Sequence, residues 1–158
     1  MKVDMKLSCG TIIVNEFEEI LMGKVTGTHP FRYDLPKGNL DEGEERIDAA
    51  IRECIEEFGL VLDRYRMGNL GEFEYIRDKK NLHLFLTFIK KDLIDLDCLQ
   101  CSTNFTNIKT GEEYPEMNGY AWIHVDDIGS LCGYSMNHLL RNVVLDDILR
   151  ESKYGELR

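Results

Sequence analysis

The hydrophobic positions of the N-terminal quarter follow the spacing of strands. Leu7–Val14 is rich in Ile, Val and Cys, and Glu19–Gly23 resumes the apolar run after a polar turn at 15–18. Apolar runs bounded by polar residues are typical of strands, so these segments predict an opening hairpin. Two prolines and a glycine exclude a continuous helix over 24–36, where only Tyr33–Leu35 is expected to form a brief strand.

A helical period begins near Glu45 and ends at Gly59. Glu44 and Glu45 suit the positive N-terminal end of a helix, and glycine commonly follows the last turn. Apolar residues recur every three or four positions, which predicts one buried face. These residues are Ile47, Ala50, Ile51, Cys54, Ile55 and Phe58. The acidic residues between them are expected on the other face, away from the core.

Strand patterns return in the second half of the chain. The predicted strands are Met67–Ile76 and Leu82–Lys90, joined by a charged turn at 77–81, and Ala121–Val125. The stretch from Lys91 to Glu116 is polar, weakly patterned and too long for an ordinary connection, so it is expected to be a functional or mobile loop. These elements predict an α/β fold with a mixed sheet.

A second amphipathic helix is expected near the C-terminus, with Ser135 as its cap. Its apolar residues would pack against the sheet. They are Met136, Leu139, Leu140, Val143, Val144 and Ile148. No repeat or change of composition divides the sequence, so we expect one domain over residues 1–158.

Composition and charge limit the classes of function. No run of about 18 apolar residues could span a bilayer and no apolar leader is visible, which predicts a cytoplasmic protein without a membrane partner. The net charge of -10 disfavours extensive nucleic-acid binding, because that affinity comes from lysine and arginine. Five cysteines are an odd number, and Cys98 and Cys101 form one CxxC without a second pair to complete a zinc site, so reduced thiols are expected.

The first helix carries the densest chemistry, with Arg52, Glu53, Glu56 and Glu57 close together. The three glutamates stand at i, i+3 and i+4, so their carboxylates share a face and repel one another unless a cation lies between them. Magnesium takes oxygen ligands and is usually bound by a few carboxylates together with substrate phosphates. The pattern therefore predicts a Mg²⁺ site, which Mn²⁺ could also occupy.

The segment from Gly38 to Leu60 resembles the Nudix box, GX5EX7REUXEEXGU, where U is a bulky aliphatic residue. Every fixed letter matches, Leu60 fits the last U, and only Cys54 departs mildly, being small and apolar. The fixed letters are Gly38, Glu44, Arg52, Glu53, Glu56, Glu57 and Gly59. At ~7% usage per residue, a chance match is on the order of 10⁻⁸ per starting position. The resemblance implies an α/β/α sandwich and metal-dependent hydrolysis of a phosphoanhydride.

Roles follow from the chemistry and from this resemblance. Glu53, Glu56 and Glu57 are the expected metal ligands, and the resemblance adds the backbone carbonyl of Gly38. Arg52 is expected to pair with Glu44 or Glu56 and so to orient a carboxylate. A non-catalytic nucleotide-binding module of the same family is the alternative, although such a module would have little reason to keep every carboxylate.

A general base is expected outside the box. The sequence PEMNGYAW, which begins at Pro115, resembles a loop that carries a catalytic or metal-binding glutamate in several Nudix hydrolases, including RNA pyrophosphohydrolases. Glu116 is the candidate on this resemblance, and Glu112 and Glu113 are close enough in sequence to compete with it.

The substrate is expected to be a small nucleotide. LPKG at 35–38 resembles diadenosine polyphosphate hydrolases, and Tyr75 follows Gly59 at nearly the distance of a tyrosine that marks this subgroup. Tyr75 could stack on a base, and Tyr33 in the preceding loop could contact one. The basic residues that could bind phosphates are Lys37, Arg77, Lys79 and Lys80. A dinucleoside polyphosphate is therefore predicted; 5′-triphosphorylated RNA and nucleoside triphosphates are the alternatives, and the oligomeric state stays open.

Overall fold

The computed structural model describes residues 6–28, 31–75 and 79–158. The expectations for Ile76, Arg77 and Asp78 therefore lie outside the described residues. Within these ranges the strands are β1 Lys6–Val14, β2 Glu19–Val25, β3 Tyr33–Asp34, β4 Lys37–Asn39, β5 Gly68–Tyr75, β6 Lys80–Phe88, β7 Asn104–Thr106, β8 Glu113–Pro115 and β9 Met117–His124. The α-helices are α1 Arg46–Phe58, α2 Ile128–Leu131, α3 Tyr134–His138 and α4 Leu145–Tyr154.

Strand β1 lies at the centre of the main sheet, whose order is β3-β2-β1-β6-β5. It pairs in parallel with β6 along its whole length and antiparallel with β2 and β4. Strand β9 adds to β2 in the antiparallel direction. The predicted hairpin and the predicted mixed sheet are therefore confirmed.

Alternate side chains of β1 enter two different cores, because successive residues of a strand point to opposite faces of its sheet. Ile12 lies in the core that includes Ile148 of α4, whereas Ile13 packs with Cys54 and Phe58 of α1. Helices thus cover both faces, and the chain forms the expected α/β/α sandwich. No helix in the described parts of the chain is long and apolar enough to cross a membrane.

The exposure of the side chains on α1 differs from the prediction. Ile55 is 41% exposed, whereas Glu53 and Glu57 are only 8% and 5% exposed. The helix lies beside β4, so two of its acids are buried under neighbouring chain while one isoleucine on its outer edge is left in solvent. The prediction that Ile55 belongs to the buried face of the helix was wrong.

The structure of the C-terminal segment also differs from the single helix that was predicted. Gly133 rather than Ser135 precedes α3, and Ser135 lies buried inside it. A π-helical turn at Leu139–Val143 separates α3 from α4. This wider turn rotates Val143 out of the apolar stripe, leaving it 44% exposed.

The segment from Lys91 to Glu116 has structure of its own. It contains two 3₁₀ turns, Lys91–Leu93 and Leu96–Cys98, followed by the small hairpin β7–β8. The next strand begins at Met117 rather than at Ala121, because β9 pairs with β2 as far as Val25. The segment was expected to be a functional or mobile loop, and the hairpin was not predicted.

Candidate active site

The site is built where β4 passes α1. Gly38 pairs with Cys9 of β1, which holds the short strand against the sheet. A Cβ atom at Gly38 would overlap the carboxylate of Glu53, so only glycine lets this backbone approach the helix so closely. At the other end of α1, Gly59 adopts the left-handed conformation that ends the helix, with φ of 66°.

Arg52 holds together one end of the acidic cluster. Its Nε and Nη2 donate to the two carboxylate oxygens of Glu44 at 2.9 and 3.0 Å. Its Nη1 donates to Glu53 at 2.8 Å and to Glu56 at 3.3 Å, and Nη2 also donates to the backbone carbonyl of Asn39 at 3.0 Å. The hydrogen bonds to Glu44 raise the pKa of Arg52 and lower that of Glu44. The guanidinium thus pairs with both partners considered from the sequence.

Glu57 lies at the other end of the cluster, without an arginine. Burial raises its pKa to about 9, and the carboxylates of Glu53, Asp34 and Glu116 add to this effect, while Lys37 opposes it. Its backbone carbonyl accepts a hydrogen bond from the hydroxyl of Tyr120 at 2.5 Å, which ties the end of α1 to β9. Among the described residues, Lys37 is the group that opposes this rise in pKa, and a bound cation would favour the charged form of Glu57 further.

Glu116 joins this site from the opposite side. Its side chain lines a cavity of about 380 Å³ together with those of Glu57 and Lys37. Its carboxylate also raises the pKa of both Glu53 and Glu57. Its competitors lie elsewhere: Glu112 accepts a hydrogen bond from Tyr114, and Glu113 pairs across the small hairpin.

The donors at this site suit a hard divalent cation. Carboxylate oxygens and a backbone carbonyl are the ligands that such cations prefer, and the glycine cradle brings Gly38 against Glu53. Across the described residues, no three acidic, histidine or cysteine side chains are already grouped around one point. Glu53 and Glu56 are instead paired with Arg52. The chemical type of these donors therefore fits a metal ion, although the side chains are not yet arranged around one point.

A second cavity adjoins the first. It measures about 280 Å³ and is lined by Tyr33 and Tyr75, both singled out from the sequence, and by Arg32. Val25, Asp34 and Lys37 line both cavities and so form the partition between them. Lys37 is held by Asp34 at 3.1 Å, which raises the pKa of the lysine.

The remaining basic candidates lie apart from the carboxylates. The ammonium of Lys80 lies 5.6 Å from the centre of the Tyr75 ring, but Lys80 does not itself line the second cavity. Lys79 is exposed in a turn, with a positive φ of 49°, and lines neither cavity.

Sequence reasoning missed several residues that line these cavities, among them Asp34, Arg32 and Phe105. Asp34 precedes Lys37 by three residues, a spacing that could have indicated the pair. Arg32 was passed over within the turn-rich segment, although it has no acidic partner within 4.0 Å among the described residues. Phe105 carried no signal at all, because it lies in the segment that was expected to be a functional or mobile loop.

Comparison with known proteins agrees with this geometry. Residues 5–139 match the NUDIX domain family, so the chain belongs to that family and is a Nudix hydrolase. An uncharacterized 17.7 kDa protein of Enterobacteria phage T4 is 32% identical over 152 residues, which cover 90% of this chain and 98% of the phage protein. An RNA pyrophosphohydrolase of Vibrio atlanticus is 27% identical over 124 residues, 75% of this chain and 70% of that protein.

A solved structure supports the fold independently. The Ap4A hydrolase of C. elegans, in a binary complex, superimposes with a TM-score of 0.62 at 21% identity, covering 90% of this chain and 98% of that one. At this identity the likeness concerns the fold. Nudix hydrolases generally use divalent metal ions.

Proposed function

We propose that the chain hydrolyses a phosphoanhydride bond of a small nucleotide in a Mg²⁺-dependent reaction. The observation that carries the proposal is the first cavity, where Glu57, Glu116 and Lys37 converge beside the Arg52-paired carboxylates. A phosphoanhydride needs its negative charge screened and a water molecule activated, and this cavity holds groups for both tasks.

Each group has a separate task. Glu53, Glu56, Glu57 and the carbonyl of Gly38 would hold Mg²⁺, and Mn²⁺ could replace it. When bound, the metal screens the phosphates and lowers the pKa of water. The ammonium of Lys37 binds a phosphate oxygen on the substrate side. Arg52 keeps the carboxylates of Glu53 and Glu56 in place.

Glu116 acts as the general base in this proposal. It accepts a proton from the attacking water, whose oxygen forms a bond to phosphorus as the bridging P–O bond breaks. The side chain is exposed at the cavity rim, so it can reach water without crossing the protein. Its position across from Glu57 supports this role more than it supports Glu112 or Glu113.

A dinucleoside polyphosphate is the substrate we favour. The two adjoining cavities offer room on each side of Lys37 for a compound with groups at both ends of a phosphate bridge. Tyr33 and Tyr75 give one of them aromatic lining, which suits a base. Because all five cysteines are free, we place the reaction in the reducing cytoplasm.

Removal of pyrophosphate from 5′-triphosphorylated RNA is the second candidate. It is supported by the likeness to Vibrio RNA pyrophosphohydrolases. The net charge of -10 counts against a long RNA track, although a site that grips only the first nucleotides needs little basic surface.

A substrate panel tests the proposal. The purified protein would be incubated with Mg²⁺ and with dinucleoside polyphosphates, nucleotide sugars, nucleoside triphosphates or 5′-triphosphorylated RNA, and the products identified. We expect the highest kcat/KM for a dinucleoside polyphosphate. A higher value for triphosphorylated RNA would select the second candidate, and clear nucleotide binding without turnover would overturn both.

A further inference from the structure

The small hairpin β7–β8 places an aromatic ring at the catalytic cavity. Phe105 lines this cavity with Glu57, Glu116 and Lys37, and it is the one aromatic side chain among the described residues that do so. The ring is half-buried, so part of its surface remains available to a ligand.

The hairpin is fixed on both sides of this cavity. On one side, the backbone N–H of Ser102 donates to the carbonyl of Glu56 at 2.7 Å, and its hydroxyl donates to the same carbonyl at 3.1 Å. On the other side, Thr26 N–H donates to the carbonyl of Glu116 at 3.0 Å. The hairpin is thus tied to the end of α1 and to the end of β2.

The ring itself is also supported. Tyr114, directly across the hairpin, packs against Phe105 with ring centres 5.9 Å apart. The tip of the Phe105 ring reaches Gly27, where a Cβ atom would lie 3.8 Å from it. A ring held in this way loses little freedom when a flat ligand stacks on it, which favours binding.

We propose that Phe105 forms a second base-binding subsite, on the Glu116 side of the phosphate bridge. This inference rests on the proposed hydrolysis of a dinucleoside compound. Three aromatic residues of the second cavity, Tyr33, Tyr75 and Tyr134, lie across the partition that contains Lys37. One base occupies that cavity and the other stacks on Phe105, while Lys37 contacts the phosphates between them.

An uncharged base suits the Phe105 side better than further phosphate does. Apart from Lys37, the described residues that line this cavity offer no cationic side chain for phosphates beyond the metal-bound ones, whereas Phe105 offers an aromatic face on which a neutral base can stack. The cavities measure about 380 and 280 Å³, each near the lower end of the roughly 300–1,000 Å³ of small-molecule sites. A ligand that occupies both is therefore matched better than one that occupies either alone.

Binding of two analogues tests the subsite apart from the reaction. Non-hydrolysable, methylene-bridged forms of diadenosine tetraphosphate and of adenosine 5′-tetraphosphate would be titrated with Mg²⁺ by calorimetry. The two compounds carry the same number of phosphates and differ in the second nucleoside, whose absence leaves a more highly charged terminal phosphate, so the Phe105 variants below are needed to assign the difference to the base. We expect the wild type to bind the two-base compound about tenfold more tightly, the scale of stacking one base on an aromatic ring.

Variants of the hairpin locate that preference. Phe105→Leu keeps an apolar side chain without the ring. Its affinity for the two-base compound should fall about tenfold, and its affinity for the adenosine tetraphosphate analogue less than about twofold. Phe105→Trp should retain the preference. Tyr114→Ala is the matched control, because it removes the supporting ring without removing a cavity-lining residue, and it should weaken the preference less than Phe105→Leu does.

The outcomes separate this subsite from the proposed reaction. Equal affinity of the wild type for the two analogues, absence of binding to both, or an equal loss for both in Phe105→Leu would overturn the subsite. Hydrolysis of unmodified diadenosine tetraphosphate is measured in parallel. If the wild type does not hydrolyse it but binds its analogue through Phe105, the proposed reaction fails while the subsite stands.

Discussion

The two ends of the acidic cluster on α1 differ in how their charge is balanced. At one end, Arg52 bonds to Glu44, Glu53 and Glu56 and lies 3.5 Å from Asp41, so four carboxylates share one guanidinium. At the other end, one turn along the helix from Glu53, Glu57 is more buried and bonds to no arginine, and its pKa is raised to about 9. One end of the cluster thus shares an arginine among its carboxylates, whereas the carboxylate at the other end has no arginine.

This difference indicates a division of labour. The Arg52 end is already held by the protein's own charges, so its side chains are positioned before any ligand arrives. Burial of a carboxylate without a partner is costly, and at the Glu57 end that cost is removed when a cation binds. We therefore assign a supporting role to Arg52 and Glu44, which orient Glu53 and Glu56 as metal ligands, and we expect the bound cation to matter most for Glu57.

Neutralising a proposed metal ligand should cause the largest loss of turnover. Glu57→Gln keeps the shape of the side chain and removes its charge, so the fold should survive while turnover with Mg²⁺ falls at least about a hundredfold. We expect a similar loss for Glu56→Gln. Turnover and the thermal unfolding midpoint would be measured together, because a loss of both would indicate misfolding instead.

Glu151 provides a matched control for that change. It is a buried glutamate on α4, in the other helical layer, and its carboxylate pairs with Arg158 at 2.8 Å. Glu151→Gln should therefore affect stability but leave kcat close to that of the wild type. A folded Glu57→Gln protein with wild-type turnover would refute the assignment of Glu57.

Replacing Arg52 itself should reduce activity less than replacing a metal ligand does. In Arg52→Lys the charge remains, but one ammonium cannot bond to Glu44 through two parallel hydrogen bonds and also reach Glu53 and Glu56. Groups that support metal ligands typically contribute about 10–100-fold to metal affinity or activity. We expect a loss in this range, seen mainly as a higher Mg²⁺ concentration for half-maximal rate. A loss of kcat at saturating Mg²⁺ instead would place Arg52 in direct contact with the substrate.

Much of this contrast could be predicted from the sequence. The spacing of Arg52 from Glu56 and the fixed letters of the box indicated the pairing, because contacts within one helix depend on spacing alone. The central sheet was also predictable, since β1 and β6 are rich in apolar and β-branched residues and are bounded by polar turns. Burial of Glu53 and Glu57 was not predictable, because it depends on the path of β4 over the helix.

The other wall of the site was harder to predict. The hairpin β7–β8 has strands of only three residues each, too short to give a clear alternation. Phe105 reaches the cavity through contacts between distant segments, such as Thr26 with Glu116. Local sequence patterns carry no information on contacts of this kind.

Adding one methyl group at Gly38 should moderately reduce both stability and turnover. In Gly38→Ala the new Cβ would overlap the carboxylate of Glu53, which must move and disturb its bond to Arg52. We expect lower thermal stability and a loss of turnover of about tenfold, at the lower end of the supporting-residue range. Gly68→Ala is the control, because its Cβ would meet its nearest neighbour, the carbonyl of Leu86, at an ordinary 3.6 Å. Equal behaviour of the two variants would show that the close approach at Gly38 is unimportant.

Lowering the pH should remove the stability that the Arg52–Glu44 ion pair contributes to folding. We expect this to be the smallest of the four predicted effects. Arg52 lowers the pKa of Glu44 below its ordinary value of 4.5, so the unfolded chain takes up this proton more readily than the folded one. The ion pair therefore contributes stability that is present above pH 4.5 and is lost as the pH falls through the lowered value. Urea unfolding would show the wild type more stable than Glu44→Gln at pH 7, with a difference that shrinks below pH 4.5. A difference that stays constant down to pH 3 would mean that the Glu44 charge does not support the Arg52 end, and that only the shape of its side chain does.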